Sequence, residues 1–246
     1  MTSPLVVLRA CAFNVTFAVV TLVMGVVSLP LRAFARPWAL GYAQLWTRVS
    51  LACLRALCGI EVRVSGLEHL PAGTPCVIAS QHQSAFDTLV WMNLVPRPAY
   101  VMKRELTRLP LVGPMLLASG MIAVERTAGA KAMRKLLSDT REAAADARQI
   151  VIFPEGTRTR PGEIVPLQPG LAAMATHAHL PVVPVVTDSG HCWGRNAFIK
   201  RPGIIHIVIG APIEATRERG ALLLAVRNAW TRLEADNPVL THVPRA

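Results

Sequence analysis

Apolar positions along the chain follow two regimes. From residue 10 to residue 31, "ACAFNVTFAVVTLVMGVVSLPL", no charged side chain interrupts the run. Wound as a helix, it extends roughly 33 Å at 1.5 Å per residue, enough to cross a hydrocarbon core of about 30 Å. The segment "PLRAFARP" (30–37) is expected to break that helix at both prolines and to offer Arg32 and Arg36 to lipid headgroups. Residues 38–59 resume a helical pattern. Trp38, Tyr42 and Trp46 suit an interfacial belt there, while Gln44, Arg48 and Arg55 fall near one face. This second helix is expected to lie in the interface or to return through one leaflet, with packing against the rest of the protein as the competing reading. Ala33-Phe34-Ala35 resembles a signal-peptide cleavage site, but the apolar run is too long for a signal core and Arg32 intrudes. The helix is therefore expected to be retained.

After Gly59 the apolar runs shorten. They fall at 60–64, 76–80, 99–102, 121–124, 150–153, 182–186 and 204–209, the lengths and compositions of buried strands. Helical patterns lie between several of them, at 84–94, 128–147, 170–179 and 216–236. Strands alternating with helices predict an α/β fold with a mostly parallel central sheet flanked by helices, preceded by a hydrophobic two-helix membrane motif. The expected division is a membrane-associated helical hairpin over 1–59 and an α/β domain over 60–246.

Composition narrows the partners. Hydrophobic residues make up 52% of the chain and charged residues only 17%, with a formal net charge of +11. A basic surplus points to nucleic acid or to an anionic membrane. Aromatic residues are only 5% and lie mostly outside the basic clusters, so nucleic acid is not expected and the apolar excess favours the membrane. Five scattered cysteines without a C-x-x-C pair argue for a reduced compartment and for small buried side chains. His177, His179, His191 and Cys192 lack the spacing of a zinc site, and no metal is expected.

In a parallel sheet, ligands gather beyond the carboxyl ends of the strands. The polar residues of this chain sit at those ends. Gln81 and His82 follow 76–80, Lys103 follows 99–102, Glu125 and Arg126 follow 121–124, and "PEGTR" (154–158) follows 150–153. Asp87 lies five residues after His82, about 140° around a regular helix. The two meet only where His82 occupies the turn before the helix and folds back. Asp87 would then fix the imidazole tautomer, leaving the other nitrogen to take a proton from a hydroxyl. Ser84 reads as a helix N-cap in preference to a nucleophile. In "FPEGTR", Pro154 ends the strand, Gly156 allows a tight turn, Thr157 caps a helix or bonds backbone, and Arg158 offers a planar fork. Lys103, Arg126 and Arg158 at adjacent strand ends would repel unless an anion, or Glu105, Glu125 and Glu155, balanced them. A phosphomonoester fits that requirement.

These segments resemble a known family. His82-Gln-Ser-Ala-Phe-Asp87 matches the HxxxxD first motif of the glycerolipid acyltransferases. Gly120–Arg126 resembles their second motif, with Ala123 in place of a bulky residue, and Phe153–Arg158 their third. Leu180-Pro-Val-Val-Pro-Val185 resembles the fourth, and Lys103 matches a recurring basic position. The order is the family's, and the likeness is to its bacterial lysophosphatidic acid acyltransferases. The resemblance implies that His82 deprotonates the sn-2 hydroxyl of a lysophosphatidate and that Asp87 orients His82. It implies that Lys103 and Arg158, with Arg126 as a third cation, hold the acceptor's phosphate. Glu155 would bind the acceptor or organise the site, and Gly156 and Thr157 join the binding set. No cofactor is implied, since acyl carrier protein or coenzyme A carries the acyl thioester as co-substrate. The expected partners are a lysophospholipid, an acyl thioester, an anionic membrane and an acyl carrier protein. The expected location is a bacterial inner membrane, with the catalytic domain on its cytoplasmic face. Other lysolipids, lyso-ornithine lipid among them, are the alternative acceptors, and a non-catalytic lipid-binding protein is the alternative class.

Overall fold

The computed structural model describes residues 3–34, 38–71, 73–125 and 129–241. Seven strands form one sheet in the order β1-β7-β6-β2-β5-β3-β4. They are β1 (Ile60–Ser65), β2 (Cys76–Ser80), β3 (Pro98–Lys103), β4 (Ile122–Val124), β5 (Gln149–Ile152), β6 (Val182–Thr187) and β7 (Gly203–Ile209). Each predicted apolar run became a strand, with ends shifted by a residue or so. Strands β4, β3, β5, β2 and β6 run parallel; β7 pairs antiparallel with β6, and β1 parallel with β7. The expected α/β fold with a mostly parallel central sheet is what forms.

Period-two alternation sends successive side chains to opposite faces, so the sheet has two cores. On one face Ile78, Val151, Val183, Ile205 and Ile207 pack with Phe13, Leu54, Cys58 and Trp91. These belong to α1 (Pro4–Phe34), α2 (Ala39–Cys58) and α3 (Asp87–Leu94). On the other face Val77, Ala79, Ile150 and Val182 pack with Leu136, Met174, Val226 and Trp230. Those side chains come from α5 (Gly129–Ala145), α6 (Gly170–Ala178) and α8 (Arg219–Asp236). The short helices α4 (Gly113–Ala118) and α7 (Ser189–Cys192) escaped the sequence pattern. Gly113, Pro114 and Pro110 make the first region read as a turn, and one turn of helix has no period to detect.

The amino-terminal helices depart from expectation in two respects. Helix α1 runs past Pro30 to Phe34 instead of ending there. A proline near the end of a long helix costs about one backbone bond, and its fixed φ suits the helix. Helix α2 runs antiparallel to α1, with Trp46 against Phe17 and donating to Thr21, and the Tyr42 hydroxyl donating to Met24 O. Tyr42 and Trp46 thus serve the helix–helix contact, and of the three expected interfacial aromatics only Trp38 stands free at the surface. Gln44 donates to Pro96 O, and Ser50, Leu54 and Cys58 are buried. The packing reading holds for α2. Arg36 and the side chain of Arg32 lie outside the described residues.

Candidate active site

Strand β2 is buried at every position and delivers Gln81-His82-Gln83 to the carboxyl edge of the sheet. Helix α3 starts at Asp87, three residues later than the pattern suggested, so His82 lies in the loop before it. The Asp87 Oδ2 atom accepts from Gln83 N (2.8 Å) and Ser84 N (2.7 Å) and meets His82 Nδ1 at 3.0 Å. An oxygen already accepting two peptide N–H groups is an acceptor for the ring as well. The proton therefore sits on Nδ1, and Nε2 keeps its lone pair. Ser84 is fully buried and its hydroxyl accepts from Phe86 N (3.1 Å). It closes the turn before the helix and does not cap the helix itself, and its burial removes it as a nucleophile.

Both flanking glutamines pin the loop. Gln81 Nε2 donates to Glu234 Oε1 of α8 (2.6 Å), and its Oε1 accepts from Thr187 N (3.2 Å). Gln83 Oε1 accepts from Gly190 N (3.1 Å). Phe153, the last residue before the PEGTR turn, stacks on the His82 ring with centroids 4.1 Å apart and planes 18° from parallel. Gln81 and Gln83 hold the loop, and Phe153 holds the imidazole by stacking.

The turn after β5 explains its own sequence. Gly156 N donates to Phe153 O (3.0 Å), Pro154 takes the second position, and Gly156 has a left-handed φ of 74°. The turn aims Glu155 inward and leaves Thr157 exposed and Arg158 half-buried. Glu155 Oε2 accepts from His82 N (2.6 Å) and its Oε1 from Thr159 Oγ1 (3.1 Å), while Thr159 N donates to His82 O (2.8 Å). Glu155 therefore organises the His82 peptide; burial pushes its carboxyl up to about 8, against the opposing pull of the bonds from His82 and Thr159. Thr157 caps nothing, since the next helix begins at Gly170. The backbone-bonding role falls to Thr159, which the motif reading stopped short of.

His82, Lys103, Gly156, Thr157 and Arg158 all line one cavity of about 750 Å³. Its walls continue into α1 and α2 through Met24, Gly25, Tyr42 and Trp46, and into α3 and α4 through Leu89, Met92, Met115 and Leu116. Polar groups sit at the strand ends and apolar side chains line the remainder. The carboxylates do not neutralise the cations: Glu125 pairs with Arg104, Glu155 is bound to the His82 loop, and among the described residues no carboxylate reaches Lys103 or Arg158. Burial of Arg158 favours its neutral form, and its Nε is buried without a partner. The predicted residues are thus gathered, apart from Arg126, which lies outside the described residues. Phe153, Thr159, Gln83 and Arg195 were not singled out as parts of the site. Arg195 lines the same cavity.

A mostly parallel α/β sheet thus brings a histidine–aspartate pair and cations without ion-pair partners among the described residues to one apolar cavity at its carboxyl edge. The acyltransferase family profile matches residues 61–188, and the chain belongs to that family. It is 35% identical over 175 residues to the 1-acyl-sn-glycerol-3-phosphate acyltransferase of Pseudomonas aeruginosa, an alignment spanning 71% of this chain and 68% of that one. It is 32% identical over 198 residues to the alpha form of the same-named enzyme from Bos taurus, covering 79% and 69%. The fold matches the crystal structure of the 1-acyl-sn-glycerophosphate acyltransferase PlsC of Thermotoga maritima with a TM-score of 0.77, at 20% identity and over 94% and 95% of the two chains.

Proposed function

We propose that the protein transfers a fatty acyl group from an acyl thioester to the sn-2 hydroxyl of lysophosphatidate, giving phosphatidate. The observation that carries this reading is one shared cavity, with a histidine whose Nε2 is free, two cations without an ion-pair partner among the described residues, and an apolar extension between the amino-terminal helices and α3–α4. Nε2 takes the hydroxyl proton as the acceptor oxygen attacks the thioester carbon. The tetrahedral intermediate then collapses, breaking the carbon–sulfur bond, and the thiolate leaves with the proton. Asp87 holds the tautomer and stabilises the imidazolium, as the carboxylate does in a histidine-based triad. Lys103 and Arg158 bind the phosphate, Arg158 as a fork and Lys103 as a point charge. Gly156 and Thr157 shape the floor beside them, and Glu155 positions the His82 peptide.

The reaction requires no cofactor, and both acyl carrier protein and coenzyme A present the thioester it needs. The names of the relatives support the lysophosphatidate acceptor. Helix α1 supports a membrane location, with an apolar stretch Pro4–Leu29 whose sides away from the domain are exposed. The five free cysteines suit the cytoplasmic face of a bacterial inner membrane, where acyl thioesters are made.

The test is direct. Purified protein supplied with lysophosphatidate and labelled acyl thioester should form phosphatidate. His82→Ala should lose about 10²-fold or more in turnover while keeping its circular-dichroism spectrum. Near wild-type turnover in that variant would remove the mechanism.

A further inference from the structure

The loop between α7 and β7 brings a cation to the cavity from a part of the chain beyond the family motifs. Arg195 lines the main cavity together with Arg158. With Asn196 it also forms the wall shared with a shallow outer hollow lined by Arg160, Pro161, Gly162 and Glu163. Burial chiefly disfavours the protonated form of Arg158; Asp87 opposes that, and the charge on Arg195 is close enough to add to it. Among the described residues neither has a carboxylate within ion-pair distance. Glu163 is occupied by Arg160 N (2.8 Å), and Asp87 by the His82 loop. Two guanidinium groups facing one opening repel each other, and an anion between them relieves that repulsion.

The loop is held in place. Ala197 N donates to Gly194 O (3.0 Å), Asn196 turns the tip with a left-handed φ of 54°, and Arg201 N donates to Cys192 O (2.8 Å) at the base. Lys200 is only 3% exposed. Its ammonium sits 4.7 Å from the Trp193 ring and 5.4 Å from that of Phe13, and it donates to Phe198 O and to Asn14 Oδ1 on α1. A buried lysine without a carboxylate is costly, and these oxygens and ring faces offset the cost. The loop is thereby fastened to α1, with Arg195 as its exposed tip.

Building on the reading of the acceptor as a phosphate monoester, we propose that Arg195 is a further cation of the acceptor-phosphate site and favours a monoester over a capped phosphate. The phosphates of coenzyme A or of a carrier protein's pantetheine arm share this chemistry, and kinetics separates the two sources. Arg195→Ala should raise KM for lysophosphatidate about tenfold, the lower end for a charge-assisted bond because the side chain is exposed. KM for the thioester should stay unchanged, and the preference for lysophosphatidate over lysophosphatidylglycerol should shrink. Arg195→Lys should recover part of the loss, since it keeps the charge and loses the fork. Arg160→Ala, which alters only the outer hollow, should leave acceptor KM unchanged. An unchanged acceptor KM in Arg195→Ala, a rise confined to the thioester, or an equal rise in Arg160→Ala would each overturn the assignment while the proposed reaction stands. No turnover of lysophosphatidate by the wild-type protein would overturn both.

Discussion

Glu155 keeps a carboxyl group out of water, within hydrogen-bond reach of the peptide that carries the His82 side chain. Its burial raises the carboxyl from the ordinary 4.5 to about 8. Between those values the folded protein holds a proton that the unfolded chain has released. Stability therefore falls as pH rises through that window and levels off above it. Denaturant unfolding from pH 5 to pH 8 should show this decline, and Glu155→Gln, which cannot ionise, should flatten it. The same slope in both proteins would place the titration elsewhere. The residues legible in the sequence were those whose partnership is local or whose position follows an apolar run. His82 and Asp87 are five residues apart, and Lys103 and Arg158 each follow a strand. Phe153 and Thr159 were not legible as partners of His82, because they reach it only through the pairing of β2 with β5. No nearby pattern reports that adjacency. Arg195 was hidden for the same reason, on a loop that only the tertiary fold turns towards the cavity.

Among the elements, β4 shows how one glycine sets a strand's place at the edge of the sheet. Gly120 ends the turn before β4 with a left-handed φ of 77°, and a Cβ there would lie 1.5 Å from Arg148 Nη1. Arg148 is itself buried and donates through Nη2 to Pro98 O (2.7 Å) and Ser119 O (2.6 Å), joining the starts of β3, β4 and β5. This is the physical content of the glycine in the second motif: it makes room for a guanidinium that ties three strands together. Gly162 supplies the comparison, with a φ of 78° and nothing within 4 Å of an added Cβ. Gly162→Ala should cost only the backbone strain, about 1 kcal/mol. Gly120→Ala should cost about 3 kcal/mol or more, because it also displaces a buried, hydrogen-bonded charge. Chemical denaturation of the two variants side by side measures the difference, and equal losses would reduce Gly120 to a matter of backbone angle. The strands were the most legible elements because buried parallel strands read as short apolar runs. The course of α1 past Pro30 was not, since a proline costs a helix its bond to the carbonyl four residues before it, and residue types alone do not report whether packing offsets that loss.

On the scale of the whole molecule, α1 concentrates exposed apolar side chains. Val15, Val19, Leu22, Val23, Val26 and Val27 are exposed on it. Its other side is fastened to the α/β domain from Phe13, edge-on to Trp193, to Gly25, where an added Cβ would lie 2.7 Å from Leu111 Cβ. The twelve steps from Phe13 to Gly25 rise about 18 Å, more than the roughly 15 Å thickness of one leaflet's hydrocarbon. A helix standing across the bilayer would drag the attached domain into that hydrocarbon, where unsatisfied polar groups cost several kcal/mol each. On a membrane, the arrangement that keeps the domain wet would lay α1 along one leaflet, its exposed side in the acyl chains and the cavity walls Met24 and Gly25 beside them. An excess of 26 lysines and arginines over 15 acidic residues would favour an anionic surface over a neutral one. Both ends of α1 should then face the same compartment. In a background with the five native cysteines replaced, single cysteines at Ser3 and Trp38 should both react with a membrane-impermeant maleimide added outside sealed anionic vesicles carrying the bound protein. Protection of the residue-3 site alone, lifted only when detergent opens the vesicles, would establish a crossing helix instead.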